Sequence, residues 1–169
     1  MTFPKETLTL AGEVVALASE KKILLTAAES CTGGLVAAAI TEIPGASACL
    51  MGAYVTYSNY MKSRVLGVSG DTLEQSGAVS EATAREMAEG VLRAASADIG
   101  IAITGIAGPG GGTPEKPVGL VHFASARRVG SAIHTHHEKY FIEKPNRSEI
   151  RLEAVSIALK MLLLEAKHF

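Results

Sequence analysis

Along the first twenty residues Leu10, Val14 and Leu17 fall on one helical face, and the polar positions fall opposite. "ILLTAA", Ile23 to Ala28, is then short, apolar and bounded by polar residues, the pattern of a buried strand. From Gly33 to Ile43 the positions Val36, Ile40 and Ile43 return to helical spacing, and Pro44-Gly45 supplies the stop. Ser30 therefore lies in a strand-to-helix turn. "CLMGAYVTY", Cys49 to Tyr57, reads as a second strand, followed by a short polar helix around Asn59 to Val65 that carries Lys62. Ser80 is an N-cap for a helix whose buried stripe is Ala84, Met87, Val91 and Ala95. In "ADIGIAIT", Ala97 to Thr104, three isoleucines line one face while Gly100 and Ala102 leave the other flat for a helix. Val118 to Ala126 and Ala132 to Ile142 form a hairpin around Arg127 to Ser131, the second and more polar strand nearer an edge. A last helix starts at Asn146 with Glu149 in a capping-box position, and Leu152, Val155, Leu159 and Leu162 make its buried stripe. Helices alternating with apolar strands predict a three-layer α/β/α sandwich with a mixed, mostly parallel sheet.

Length and composition narrow the setting. The 169 residues, 47% hydrophobic and 20% charged, suit one globular domain spanning 1–169. A formal net charge of -1 leaves no surplus for gripping a polyanion, so nucleic acid is not expected as a partner. Two cysteines, Cys31 and Cys49, build neither a disulfide framework nor a CxxC metal knuckle. No signal-peptide pattern opens the chain and no run approaches membrane-spanning length, which predicts a cytoplasmic protein without a membrane partner.

Ligands of open α/β sheets collect beyond the carboxyl ends of strands, and two unusual segments lie there. "TGIAGPGGGTPEKP", Thr104 to Pro117, packs five glycines and three prolines into one loop. Glycine lets backbone approach a ligand and proline holds the remainder still, although a rigid surface loop has the same composition. Gly111 and Gly112 stand where a Walker loop needs Lys and Ser/Thr, so this is not that motif. "ESCTGG", Glu29 to Gly34, has two readings. Ser30 or Thr32 caps the helix, or Ser30 is a nucleophile and Gly33 and Gly34 uncover N–H donors for an anion. Cys31 is a rival nucleophile. The base is one of five histidines or a desolvated lysine. "HTHH" places His134 and His136 on one strand face and His137 on the other, so at most two metal ligands converge and no metal site is expected. "TYSNYMK" delivers Tyr57, Ser58 and Lys62 to one rim of the sheet. In "PNRSEIR", Arg147 and Arg151 share one face of a helix start, where positive charge is unfavourable unless an anion joins it. Glu149 and solvent neutralise them in one reading, and Arg147 binds a phosphate in the other.

"TAAESCTGG", "VTYSNYMK", "GAVS" and "TGIAGPGGGTPEKPVG", in this order and spacing, closely resemble the CinA C-terminal family. The characterised activity of that family is nicotinamide-nucleotide amidohydrolase, the deamidation of nicotinamide mononucleotide (NMN). The resemblance implies a Ser/Lys hydrolase with Ser30 as nucleophile, Lys62 as base and Tyr57 close to both. It places the oxyanion on N–H groups of Cys31, Thr32, Gly33 and Gly34. It implies a nucleotide pocket shaped by Thr104, Gly105, Gly108, Gly110 and Gly111, with Arg147 toward the substrate. No metal or organic cofactor is implied, the partner is a small-molecule mononucleotide, and the family suggests a homodimer. Members often show Gly-Asp-Arg where this chain has Pro145-Asn146-Arg147, which bears on the role of Arg147. A binding-only nucleotide module in a competence or DNA-damage context is the alternative.

Overall fold

A computed structural model describes residues 2–169. Five strands form one sheet in the order β2-β1-β3-β4-β5: β1 Leu25–Glu29, β2 Leu50–Val55, β3 Ile99–Gly105, β4 Leu120–Val129 and β5 Ala132–Phe141. β1 pairs with β2 and β3 in parallel, while β4 pairs antiparallel with both β3 and β5. Two of the pairings are thus parallel and two antiparallel, but only β4 runs against the other strands. Six α-helices cover the faces: α1 Lys5–Lys21, α2 Leu35–Thr41, α3 Asn59–Leu66, α4 Gly70–Gln75, α5 Glu81–Ala94 and α6 Arg147–His168. The three-layer α/β/α architecture is as expected. None of the described helices is long and apolar enough to cross a membrane.

Four local expectations shift. α1 buries Thr7, Ala11, Val14, Val15 and Ala18, while Leu10 and Leu17 stay half-exposed at the margin, because small residues let the helix lie close to α6. In α6, Leu152 is likewise only half-buried, and Val155, Leu159 and Leu162 are core. β1 starts two residues late, since Ile23 N–H returns to Ala18 O at 2.8 Å to close α1. The hairpin turn is tighter than expected: β4 continues through Arg127 and Arg128, and Gly130 with φ +60° carries the reversal.

The two sheet faces have different relief. Ile99, Ile101 and Ile103 project into a core shared with α1, α2 and α6. Ala28, Ala102, Ala124 and Ala126 face α5, so this helix sits almost on the backbone. A Cβ at Gly100 would already stand 3.1 Å from Ala88 O. The same economy of side chains joins α5 to α3 at Gly90, where a Cβ would fall 2.0 Å from the Leu66 carbonyl oxygen. At the far end of α6, Glu165 accepts from Ser125 Oγ at 2.7 Å and Arg127 Nε at 3.0 Å. Those bonds set the direction in which the start of α6 reaches the carboxyl ends of β1 and β3.

Gly90→Ala is expected to cost about 2–3 kcal/mol in unfolding free energy by urea titration, since backbone carbonyl leaves the new methyl no way out. Gly12→Ala in α1, where a Cβ meets nothing within 4 Å, is expected to stabilise by about 0.5–1 kcal/mol.

Candidate active site

The ends of β1, β2 and β3 converge on one cavity of about 250 Å³. The parallel ladder continues past the strands: Ser30 N–H donates to Ile103 O at 3.0 Å, and Thr56 N–H donates to Glu29 O at 2.9 Å. These bonds hold the loops after β1 and β2 in register, with Ser30 at the cavity wall. Lys62 comes from α3, whose start is capped by Ser58 Oγ accepting from Met61 N–H at 3.2 Å. That first turn points Lys62 inward, and only 1% of the residue is exposed.

Lys62 Nζ lies 3.0 Å from Ser30 Oγ, 2.9 Å from Thr56 O and 3.3 Å from Tyr57 O. No carboxylate pairs with it among the described residues. Burial therefore governs its ionisation and holds the ammonium pKa below the ordinary 10.5. A neutral amine has two N–H donors and one lone pair. The two carbonyls accept the donors, and the lone pair is left for Ser30. Cys31 is buried, and burial pushes its thiol up to about 12, so it stays protonated.

"ESCTGG" is built differently from either sequence reading. α2 begins at Leu35, not Gly33, because Gly33 (φ +61°) and Gly34 (φ +96°) take left-handed conformations in a turn before the helix. Neither Ser30 nor Thr32 caps it. The fully buried carboxylate of Glu29 does, accepting from the N–H groups of Gly34 at 2.9 Å, Val36 at 3.1 Å and Ala37 at 3.0 Å. Gly33 N–H is occupied by Ser30 O at 3.1 Å. The two glycine amides expected to hold an oxyanion are thus engaged inside the loop. Cys31 and Thr32 N–H donate to no carbonyl or carboxylate among the described residues. Thr32 is fully buried.

α6 supplies two arginines, in different roles. Its start carries the expected capping box: Asn146 Oδ1 accepts from Glu149 N–H at 3.1 Å and Asn146 Nδ2 donates to Glu149 Oε1 at 2.8 Å. Arg147 reaches the cavity, donating to Gly108 O at 2.7 Å and to Tyr57 Oη at 3.2 Å. Tyr57 lines the same cavity as Ser30 and Lys62, and its carbonyl accepts from Lys62 Nζ. The residue is 63% exposed, with its phenol oxygen bonded to Arg147 at the cavity rim. Arg151 is neutralised neither by Glu149 nor by solvent: Nε donates to Cys31 O at 3.0 Å and Nη2 to Thr32 O at 2.7 Å.

Thr104, Gly105, Gly108, Gly110 and Gly111 all line the cavity. Thr104 Oγ1 donates to Ala78 O at 2.7 Å, so its hydroxyl proton braces the opposite wall. A Cβ at Gly105 would stand 2.7 Å from a Val121 methyl, which is a packing demand of β4. At Gly110 a side chain would meet nothing within 4 Å. Among the described residues no histidine lines the cavity. His122 Nδ1 and His137 Nε2 lie 3.0 Å apart, with Glu81 3.5 Å from His137 Nδ1. No group of three or more metal-ligating side chains occurs among the described residues. Sequence reasoning missed the capping role of Glu29, and for Arg151, which it singled out, it missed the carbonyl partners. An acidic residue closing an otherwise apolar strand was the available signal for the first, and the second had none beyond its helix-start position.

The CinA C-terminal domain model matches residues 7–166. A CinA-like protein of Chlorobaculum tepidum is 44% identical over 160 residues, covering 95% of this chain and 38% of the relative. The chain spans about a third of the length of several such CinA-like relatives. The nicotinamide-nucleotide amidohydrolase PncC of Enterobacter agglomerans is 47% identical over 156 residues, covering 92% of this chain and 93% of that protein. The crystal structure of a competence/damage-inducible protein from Agrobacterium tumefaciens superposes with a TM-score of 0.93 at 44% identity, covering 97% and 98% of the two chains.

The buried amine makes stability depend on pH with a definite sign. Folding depresses the Lys62 pKa, so between that value and 10.5 the unfolded chain holds more protons. The penalty of burying the ammonium is complete below the folded pKa and gone above 10.5. Urea titrations from neutral pH to 10.5 are expected to show the stability of the wild type rising relative to Lys62→Met. A constant difference would mean that Lys62 is not desolvated.

Proposed function

The chain belongs to the CinA C-terminal domain family, and from that membership and the Ser30–Lys62 contact we propose that it is an amidohydrolase. Its substrate in this reading is NMN, converted in the cytoplasm to nicotinic acid mononucleotide and ammonia. The observation that carries the reading is the buried Lys62 amine, unpaired with any carboxylate, 3.0 Å from Ser30 Oγ.

The steps close on these two side chains. Neutral Lys62 takes the Ser30 hydroxyl proton as Oγ bonds the carboxamide carbon, and the carbonyl π pair moves onto oxygen. The ammonium so formed donates to Thr56 O and Tyr57 O, which stabilise its charge without reorganisation. Cys31 N–H, at the cavity wall, is the donor for the oxyanion. Collapse breaks the C–N bond, Lys62 returns the proton to nitrogen, and ammonia leaves an acyl ester on Ser30. Water then gives a proton to Lys62 and its oxygen to the acyl carbon. Breakage of the C–Oγ bond frees the acid while Lys62 reprotonates Ser30. Arg147, with donors remaining beyond its bonds to Gly108 and Tyr57, takes the phosphate at the rim.

Ammonia release from NMN by the purified chain tests the reading directly. Ser30→Ala is expected to lower kcat by roughly a thousandfold or more, while Cys31→Ala retains most of the activity. A dead Cys31→Ala with an active Ser30→Ala would make this a cysteine hydrolase. NMN binding without turnover in the wild type would make it a binding module.

Arg147→Ala is expected to raise KM for NMN far more than it changes turnover of nicotinamide riboside, which lacks the phosphate. The lost charge-assisted contact corresponds to about 1.5–3 kcal/mol, a tenfold to more than hundredfold loss in kcat/KM. Equal losses on both substrates would assign Arg147 to holding Gly108 and Tyr57 in place.

A further inference from the structure

A trans peptide group points its C=O and its N–H in opposite directions, so a bond at one end aims the other. The peptide groups that follow Ser30 are all held from the carbonyl side or from the carboxylate of Glu29. The Ser30 carbonyl accepts from Gly33 N–H, which turns Cys31 N–H the other way. The Cys31 carbonyl accepts from Arg151 Nε, which turns Thr32 N–H away from α6. The Thr32 carbonyl accepts from Arg151 Nη2, and Gly34 N–H, in the next group, is held by Glu29 Oε2. Gly33 makes room for this arrangement: a Cβ there would stand 3.2 Å from Arg151 Nη2.

We propose that Arg151 is a positioning residue of the amidase reaction, acting with Glu29 to hold the peptide groups on either side of Thr32 so that the Cys31 N–H, at the cavity wall, stays aimed at the oxyanion that forms when Ser30 attacks. The proposal rests on the amidohydrolase reading above. Its physical content is preorganisation: donors aimed before the reaction need no reorientation as charge develops on the carbonyl oxygen. The planar guanidinium grips two successive carbonyls at once, which fixes the intervening peptide group against rotation, and a single ammonium lacks that reach. The charge is far better placed here than a bare helix start suggests, because both carbonyls complement it. Glu29 works from the opposite end, holding the Gly33–Gly34 turn against α2 so that the strap has no free terminus. Neither side chain touches the substrate, so their effect falls on the transition state and spares ground-state binding.

Arg151→Met, Arg151→Lys and Glu29→Gln, assayed for ammonia release from NMN beside the wild type, test the proposal. Arg151→Met is expected to lower kcat by roughly ten- to a hundredfold while KM stays within about threefold. Arg151→Lys should recover only part of that loss, and Glu29→Gln should lower kcat in the same KM-sparing way. If Arg151→Met does not accumulate as folded protein, Arg151→Lys carries the test alone. Unchanged kcat, or kcat and KM altered together in step with lowered stability in urea, would overturn the positioning role and leave Arg151 as a tie between α6 and the loop. A wild type that binds NMN without releasing ammonia would instead overturn the amidohydrolase reading, an outcome visible before any variant is compared.

Discussion

Putting a lysine amine inside the fold is the constraint around which the site is arranged. Among the described residues no carboxylate offsets the desolvation of Lys62, so its burial is tolerable only where neutral acceptors meet its donors. Thr56 O and Tyr57 O do this, and they can only because the loop after β2 is tied to the Glu29 carbonyl through Thr56 N–H. α3 must then lie close enough to the sheet to deliver the amine, and Gly90 of α5 permits that approach. One buried amine thereby links the strand ends, a helix contact and the geometry of Ser30.

A second buried charge lies one residue from Ser30, and the two are kept apart. Glu29 is saturated by three backbone N–H groups at the start of α2 and forms no ion pair with Lys62. A Glu29–Lys62 pair would favour the ammonium, the form that has no lone pair to offer Ser30. Dividing the charges, one onto amides and the other onto carbonyls, lets burial control Lys62. Cys31 is set apart from both, since burial raises its thiol pKa while Ser30 Oγ faces the amine.

α6 ties the first loop to the cavity rim. Its capping box sets the helix start, and the bonds of Glu165 to β4 set its far end. Arg147 and Arg151, one turn apart, consequently reach different targets: the rim at Gly108 and Tyr57, and the carbonyls behind Ser30. Repulsion between them is relieved by those separate acceptors. The Pro145-Asn146-Arg147 start keeps Arg147 at the cavity, because Asn146 is a competent cap.

Periodicity alone determined most of the architecture. The isoleucine alternation of β3, the apolar run of β1 and the capped starts of α5 and α6 are local signals, and local signals survive into the fold. The motif resemblance carried Ser30 and Lys62, and the flat Gly100–Ala102 face foretold the close seat of α5. Other features depended on partners distant in sequence. Thr7, Ala11 and Ala18 form the buried face of α1 because α6 lies against them, which no pattern within α1 discloses. Gly33 and Gly34 read as exposed anion donors until Glu29 and Ser30 occupy their amides, a matter of side-chain direction in a turn with positive φ. The partner of the Tyr57 phenol, Arg147, lies 90 residues later in the chain. Arg151 acts on carbonyls some 120 residues earlier in the chain. Sequence order holds no trace of such a contact, because only the folded sheet brings the start of α6 to the end of β1.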